Sequence, residues 1–305
     1  MEVLLDILTT QEFYFAVLRS TTPVLLTTLG AIIASRAGSS NIALEGTMLT
    51  SAFVGVVSSA LTQNVWIGLA CAVLSGVIIS SILAYFALNL KSNIIITGIA
   101  LNIMASGGTV FGLFLLTGEK GASTSLKSLV LPNINIPIIQ DIPVIGKILS
   151  GHHLLTYVAL ILVVVIWAMF KYSKLGLRIK AVGESPEAAE SVGISVIKIK
   201  YIALVMSGAL AALGGAFLSM GYIKMFTAGM TAGRGYIALA TQAMANGNPI
   251  VGFFTSTLFG FSESLASYLQ GLSIPLEFIQ MMPYLAIVII YVIYSGRKAK
   301  KEKMI

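Results

Sequence analysis

The 305-residue chain is 57% hydrophobic and only 10% charged, with a mean hydropathy of +0.93, whereas an ordinary soluble domain carries roughly 25% charged residues. So few charges cannot cover a water-exposed surface, which excludes a soluble globular enzyme or binding module. The net charge of +7 points to loops retained in the cytoplasm rather than to nucleic acid, because basic residues on a membrane chain record its orientation.

The apolar residues arrive in stretches near the ~20 that an α-helix needs to cross the hydrocarbon core. Runs such as Leu154–Met169 and Pro283–Tyr294 are continuously apolar, not alternating as barrel strands are. The expected fold is therefore an all-α membrane protein, one polytopic domain over residues 1–305. It has about nine transmembrane helices, ten if Leu4–Leu18 also crosses.

Met1–Ser20 carries Glu2, Asp6 and Glu12 and no basic start, so it is not expected to be a cleavable signal peptide. Its acidic and amide residues are costly in hydrocarbon, and an interfacial helix is expected. Ser20–Ser35 is the first span, and Ile42–Leu61 follows with an Asn, a Glu and a Gly at its start. Val65–Leu90 and Asn93–Thr117 complete a first group, residues 20–117. Cys71 is the single cysteine, which rules out an intrachain disulfide. The segment Gly118–Gly151, with Pro132, Pro137 and Pro143, is long enough to dock an external protein or to serve as a passive linker. His152 and His153 lack neighbouring ligands, so no metal site is expected.

A connecting span, Leu154–Phe170 (within residues 152–171), leads into a basic loop, residues 172–200. There Ser185 can cap a short helix with Pro186 at its first position and Gly193 at its end. Tyr201–Met220, Ala232–Ala245, Val251–Leu269 and Leu276–Tyr294 form a second group, residues 201–295. Of these, Ala232–Ala245 is too short for a full crossing. A basic tail, residues 296–305, closes the chain. Placing the loop and tail in the cytoplasm leaves only Arg19, Lys120, Lys127, Lys147, Lys224 and Arg234 outside, the bias expected of nine spans. Trp66 and Trp167 then fall at opposite membrane edges.

The two groups resemble one another. Leu26-Thr-Thr-Leu29-Gly30 through Ser35 matches Leu210-Ala-Ala-Leu213-Gly214 through Ser219, and Leu44-Glu45-Gly46 occupies the place of Gly233-Arg234-Gly235. Alternation gives the two groups opposite directions, an inverted repeat of the kind transporters use, with discontinuous helices at the substrate route. Polar groups at membrane depth default to function, which singles out Glu45, Asn102, Arg234, Gln242 and Glu263. Glu45 and Arg234 are expected to approach one another near the pseudo-axis. The alternative is that the pair only fastens broken helices and that Asn102 joins two helices.

The stretches Ala37–Gly46, Gly98–Asn102, Lys174–Ile194, Ser207–Ala216 and Gly229–Leu239 together resemble the permease subunits of ATP-binding-cassette importers of the branched-chain amino acid, ribose and nucleoside group. The Asn-Ile-Ala-Leu-Glu-Gly and Thr-Ala-Gly-Arg-Gly-Tyr segments are most similar to the nucleoside type. The resemblance implies a transport subunit of the bacterial plasma membrane, C-terminus cytoplasmic, that imports a small-molecule nucleoside. It implies a second permease as partner, in a homodimer or heterodimer, with a cytoplasmic ATPase and an external substrate-binding lipoprotein. It also implies an ATPase-coupling role for Gly183, Ser185, Pro186, Glu187, Ala188, Ala189 and Gly193. No Gly-x-x-x-x-Gly-Lys-Ser/Thr loop is present, so ATP is used by the partner and this chain needs no cofactor. A simple sugar such as ribose, or an ion-coupled secondary carrier, stays open.

Overall fold

The computed structural model describes residues 9–136 and 145–270, together with Met281, Met282, Tyr284, Leu285 and Val292. The regular elements among them are all helical. Among the described residues, six helices are long and apolar enough to cross a membrane. These are α1 (Gln11–Arg36), α2 (Leu44–Thr62), α3 (Val65–Ala84, prolonged by a widened turn to Asn89), α4 (Ile94–Thr117), α6 (Leu154–Tyr172) and α9 (Val196–Phe217, prolonged likewise to Tyr222). Between α4 and α6 lies the short α5 (Ile145–Leu149), and between α6 and α9 lie α7 (Lys174–Glu184) and α8 (Pro186–Ser191). The chain continues as α10 (Arg234–Ala245) and α11 (Pro249–Leu269). Leu276–Tyr294, the last expected span, lies almost wholly outside the described residues.

Two expectations change at this level. The segment before Ser20 is no separate surface helix from residue 11 onward, because α1 runs unbroken from Gln11 through Pro23 to Arg36. Helix α11 is 21 residues long yet is not among the strongly apolar spans, since its length carries Thr255, Ser256, Thr257, Ser262, Glu263, Ser264 and Ser267. That stripe faces protein in part: Ser256 and Ser264 are buried.

Helices α1 and α9 form the centre. Between Thr21 and Ala34 every residue of α1 is buried. Around this pair the packing is mirrored: α3 lies against α9 as α11 lies against α1, and α2 against α9 as α10 against α1. The turns repeat as well. Helix α2 ends on left-handed Gln63 and α3 is capped by Asn64, whose side chain accepts the Trp66 N–H at 2.9 Å. Helix α10 ends on left-handed Asn246 and α11 is capped by Asn248, which accepts the Ile250 N–H at 3.0 Å. On the outside, α4 and α6 turn Ile96, Ile103, Phe111, Leu115, Ile161 and Val164 outward, each more than 60% exposed, the surface expected against lipid tails.

Lipid gives helices no hydrophobic reason to associate, so close backbone approach and interhelical hydrogen bonds hold the bundle. A Cβ added at Gly215 of α9 would overlap the carbonyl oxygen of Met48 on α2. Hydroxyls bridge α1 to its neighbours: Thr28 to Thr241 of α10 at 2.6 Å, Ser256 of α11 to Thr28 at 3.2 Å, and Thr22 to Thr156 of α6 at 3.1 Å. Overpacking a tight contact costs about 1–3 kcal/mol. Gly215→Ala is therefore expected to lower the thermal unfolding midpoint in detergent by several degrees. Gly107→Ala on α4, where nothing lies near an added Cβ, is expected to leave it unchanged or raise it, since Ala exceeds Gly in helix propensity by about 1 kcal/mol.

Candidate functional site

Two stretches without regular helix lead into the starts of α2 and α10: residues 37–43 after α1, and 223–233 after α9. The first is tied down by Asn41, fully buried, whose amide donates to Ser207 at 3.0 Å and Ser80 at 3.3 Å and whose carbonyl accepts the Ala43 N–H. The second is clamped by the segment between α4 and α5. There Ser123 N–H donates to the Phe226 carbonyl at 2.9 Å, and Ala228 N–H donates to the Gly121 carbonyl at 2.8 Å.

The two helix starts meet. Gly235 lies so close to Glu45 that a Cβ would overlap the Glu45 backbone nitrogen. The Glu45 carboxylate accepts the Gly233 N–H at 2.8 Å and the Gly235 N–H at 2.7 Å, one on each oxygen. Helix α10 has no side-chain cap of its own, and its first N–H groups would otherwise be orphaned. Glu45 thus caps α10 from another helix while sitting in the first turn of α2, where the helix dipole favours a negative charge.

Asn102 completes the junction from α4. Its carbonyl accepts the Gly46 N–H at 2.8 Å, and its amide donates to the Ile42 carbonyl at 2.9 Å and the Tyr236 hydroxyl at 3.0 Å. With these partners Asn102 fastens helices. Gln242 does the same further along α10, donating to Ser35 at 2.9 Å.

Arg234 does not pair with Glu45, as its equivalent position suggested. Its guanidinium points to α11 and forms an ion pair with Glu263, 14% and 18% exposed, and donates to the Met230 and Thr231 carbonyls at 3.2 Å. The reason is geometric: Glu45 is already engaged by the backbone on both sides of Arg234, and α11 offers the next carboxylate. Arg234 and Glu263, with Ala232, Phe259, Gln270 and Tyr284, line a cavity of about 340 Å³. The Tyr284 hydroxyl donates to the Ala232 carbonyl at 2.7 Å. Arg234 Nε and Glu263 Oε2 are shielded from solvent and have no hydrogen-bond partner among the described residues.

Glu45, Asn102 and Arg234 therefore gather at one junction, Glu263 joins through Arg234, and Gln242 lies apart toward the other end of α10. Asn41, Tyr236 and Tyr284 were not singled out from sequence. Asn41 could have been, as an amide beside the apolar run that begins α2; the tyrosines carry no local signal. The histidines pack separately. His152 stacks on Phe15 at 3.9 Å, while burial against Phe217 holds His153 down at about 4, neutral at physiological pH.

The basic loop folds as two helices rather than one. The bounded helix stands where expected, as α8, with the Ser185 hydroxyl accepting the Ala188 N–H at 3.3 Å and Pro186 at its first position. Gly193 follows with φ +82°. Of the residues expected to couple to an ATPase, Glu187 and Ala188 are exposed, but Ala189 is 3% exposed and packs into the main core. Gly183 ends α7 against Arg36, where a Cβ would overlap the Arg36 carbonyl.

Removing one member of a buried ion pair strands the other, at about 3–5 kcal/mol when fully buried and less where water reaches the pair. Glu263→Met and Arg234→Met are each expected to lower the unfolding midpoint in detergent by several degrees, and Arg234→Met/Glu263→Met together by less than the sum. A purely additive double variant would contradict the pairing.

The model of the branched-chain amino acid transport system permease component family matches residues 13–291. A putative glucose ABC transporter permease protein, TsgC13 of Haloferax volcanii, is 34% identical over 86% of this chain and 79% of its own length. The nucleoside ABC transporter permease protein NupC of Lactococcus lactis is 32% identical over 90% of both chains. The guanosine ABC transporter permease protein NupQ of Bacillus subtilis is 32% identical over 90% of this chain and 89% of its own. In fold, the chain is similar to a solved structure of PsaBC from Streptococcus pneumoniae in complex with Fab, with a TM-score of 0.53 at 15% identity over 96% of this chain and 94% of that one. With the family model and these permease relatives matching along nearly the whole chain, the protein belongs to the branched-chain amino acid transport system permease family.

Proposed function

We propose that this chain is the membrane permease of an ATP-driven nucleoside importer, and that its substrate passes the α2–α10 junction beside Arg234 and Glu263. The observation that carries this reading is the junction itself: two helix starts at one point, fixed by Glu45, with a cavity alongside that is lined in part by the Arg234–Glu263 pair. Broken helices are tolerated at membrane depth where they line a cavity.

The cavity's chemistry suits a nucleoside. A neutral base and its ribose offer several hydrogen-bond donors and acceptors for the polar side chains of Arg234, Glu263, Ser267 and Gln270, and Phe259 and Tyr284 provide aromatic surface for the base. Its volume lies at the lower end of the range for small-molecule sites. A nucleoside permease and a guanosine permease stand among the relatives. The glucose permease relative makes a sugar the second reading, since sugar hydroxyls would use the same polar side chains.

The mirrored packing about α1 and α9 and the matched Gln63-Asn64 and Asn246–Asn248 turns support an inverted repeat of four spans each around a connecting α6. Nine crossings would then put the loop with α7 and α8 and the C-terminus in the cytoplasm. In this arrangement the exposed Glu187–Ala188 face of α8 meets a separate ATPase, a second permease completes the pathway, and an external lipoprotein delivers substrate.

The test is uptake of labelled guanosine, ribose and glucose into vesicles holding this chain with its partner permease, ATPase and binding protein. ATP-dependent guanosine uptake is expected, and Ala188→Pro should abolish it by removing the N–H that Ser185 caps and turning Glu187 out of helical backbone, while the membrane spans still assemble. Uptake of sugar alone would overturn the substrate. Transport by this chain alone on an ion gradient would overturn the importer reading.

A further inference from the structure

At the end of the bundle where α1 and α6 finish, a cavity of about 240 Å³ is walled by Arg36, Trp167, Phe170, Lys171, Lys180 and the Gly247-Asn248-Pro249 turn. Three cations converge on it from α1, α6 and α7, and among the described residues none of them is paired with a carboxylate. Arg36 spends Nε and one terminal nitrogen on the carbonyls of Gly247 at 2.9 Å and Asn246 at 3.1 Å. The lysines lie over aromatic rings instead of acids: Lys171 5.0 Å from the Trp167 centroid, Lys180 5.8 Å from that of Phe170. The 21-residue α11 starts at the same turn and adds the positive end of its dipole. An excess of uncompensated positive charge in a recess at the end of membrane helices calls for an anion.

The apolar side of the recess specifies which anion. Trp167 and Phe170 form one wall, and the outward surface of α6 continues it: Val164, 62% exposed, lies two turns from Lys171 on the same face. A ligand with a phosphate at one end and a hydrocarbon chain at the other fits both parts. We propose that this cavity seats the phosphodiester headgroup of an anionic phospholipid, with an acyl chain lying along α6. Guanidinium and ammonium groups supply charge-assisted hydrogen bonds to the phosphate, as basic pockets between membrane helices do for lipid headgroups. A zwitterionic headgroup is disfavoured because its own cation would meet these three.

The experiment uses the full chain in nanodiscs, followed by native mass spectrometry of lipid retained after release, with phosphatidylglycerol and phosphatidylcholine as probes. Wild type is expected to retain phosphatidylglycerol selectively. Each lysine is worth about fivefold, so K171Q/K180Q should lose about twenty-five-fold in retention. The charge-retaining K171R/K180R should keep it, as should K198Q/K200Q, which removes the same charge from the neighbouring stretch. A circular-dichroism spectrum matching wild type establishes that each variant is folded. Equal retention by wild type and K171Q/K180Q, an equal loss in K198Q/K200Q, or equal retention of phosphatidylcholine would overturn the site. Displacement of the lipid by millimolar inorganic phosphate would overturn the lipid and assign the cavity to soluble phosphate.

Discussion

The arrangement depends on one carboxylate that serves two helices. Glu45 stands in the first turn of α2 and accepts two backbone N–H groups from the start of α10. In water, the open end of a helix can be satisfied by solvent; within a membrane it must be satisfied by protein, because each bare N–H costs several kcal/mol. Short α10, 12 residues long, begins in the interior of the bundle and therefore needs a partner there. A charged acceptor is stronger than a neutral one, and the converging positive ends of two helices stabilise its charge. Close approach is a condition of this contact, which is why Gly235 faces Glu45 without a side chain.

From that junction the rest of the interior follows. Asn102 ties α4 to the same point, Arg234 leaves α10 on the far side to meet Glu263, and this ion pair forms part of the cavity lining. Arg36 holds the other end of α10, bonding the carbonyls just beyond it. Gly183 packs on the Arg36 backbone, so α7, next to the exposed α8, is in direct contact with the residue that secures α10. A movement imposed on α8 thus has a short mechanical path to the helix whose start lines the candidate pathway.

Much of this was legible in the sequence. Long apolar runs gave α2, α3, α4 and α6 within two residues at each edge because hydrocarbon thickness fixes helix length. The Ser185-Pro186 cap marked α8 because capping chemistry is local. Glu45, Arg234 and Glu263 stood out because charges in apolar surroundings are rare. Their pairing was not legible: equivalence between repeats suggested Glu45 with Arg234, but partner choice depends on backbone geometry that brings the two N–H groups flanking Arg234 to Glu45 first. The inward turn of Ala189 was hidden for the same reason, since a six-residue helix gives no periodic pattern to read. Helix α7 went unseen because its sequence, basic and apolar in alternation, looks like a solvated loop until Ile179 and Val182 are seen to be buried. The uninterrupted course of α1 through Pro23 escaped notice because its polar start reads as a surface segment.

The most direct test of the Glu45 clamp is hydrogen exchange across residues 229–240 in the full chain in nanodiscs, comparing wild type with Glu45→Ala. Hydrogen bonds to a charged acceptor contribute about 1.5–3 kcal/mol each. The account predicts exchange at Gly233 and Gly235 faster by at least about tenfold in the variant, with the centre of α9 unchanged. Equal protection of those two amides in both proteins would show that something other than Glu45 holds the start of α10, and would contradict the account.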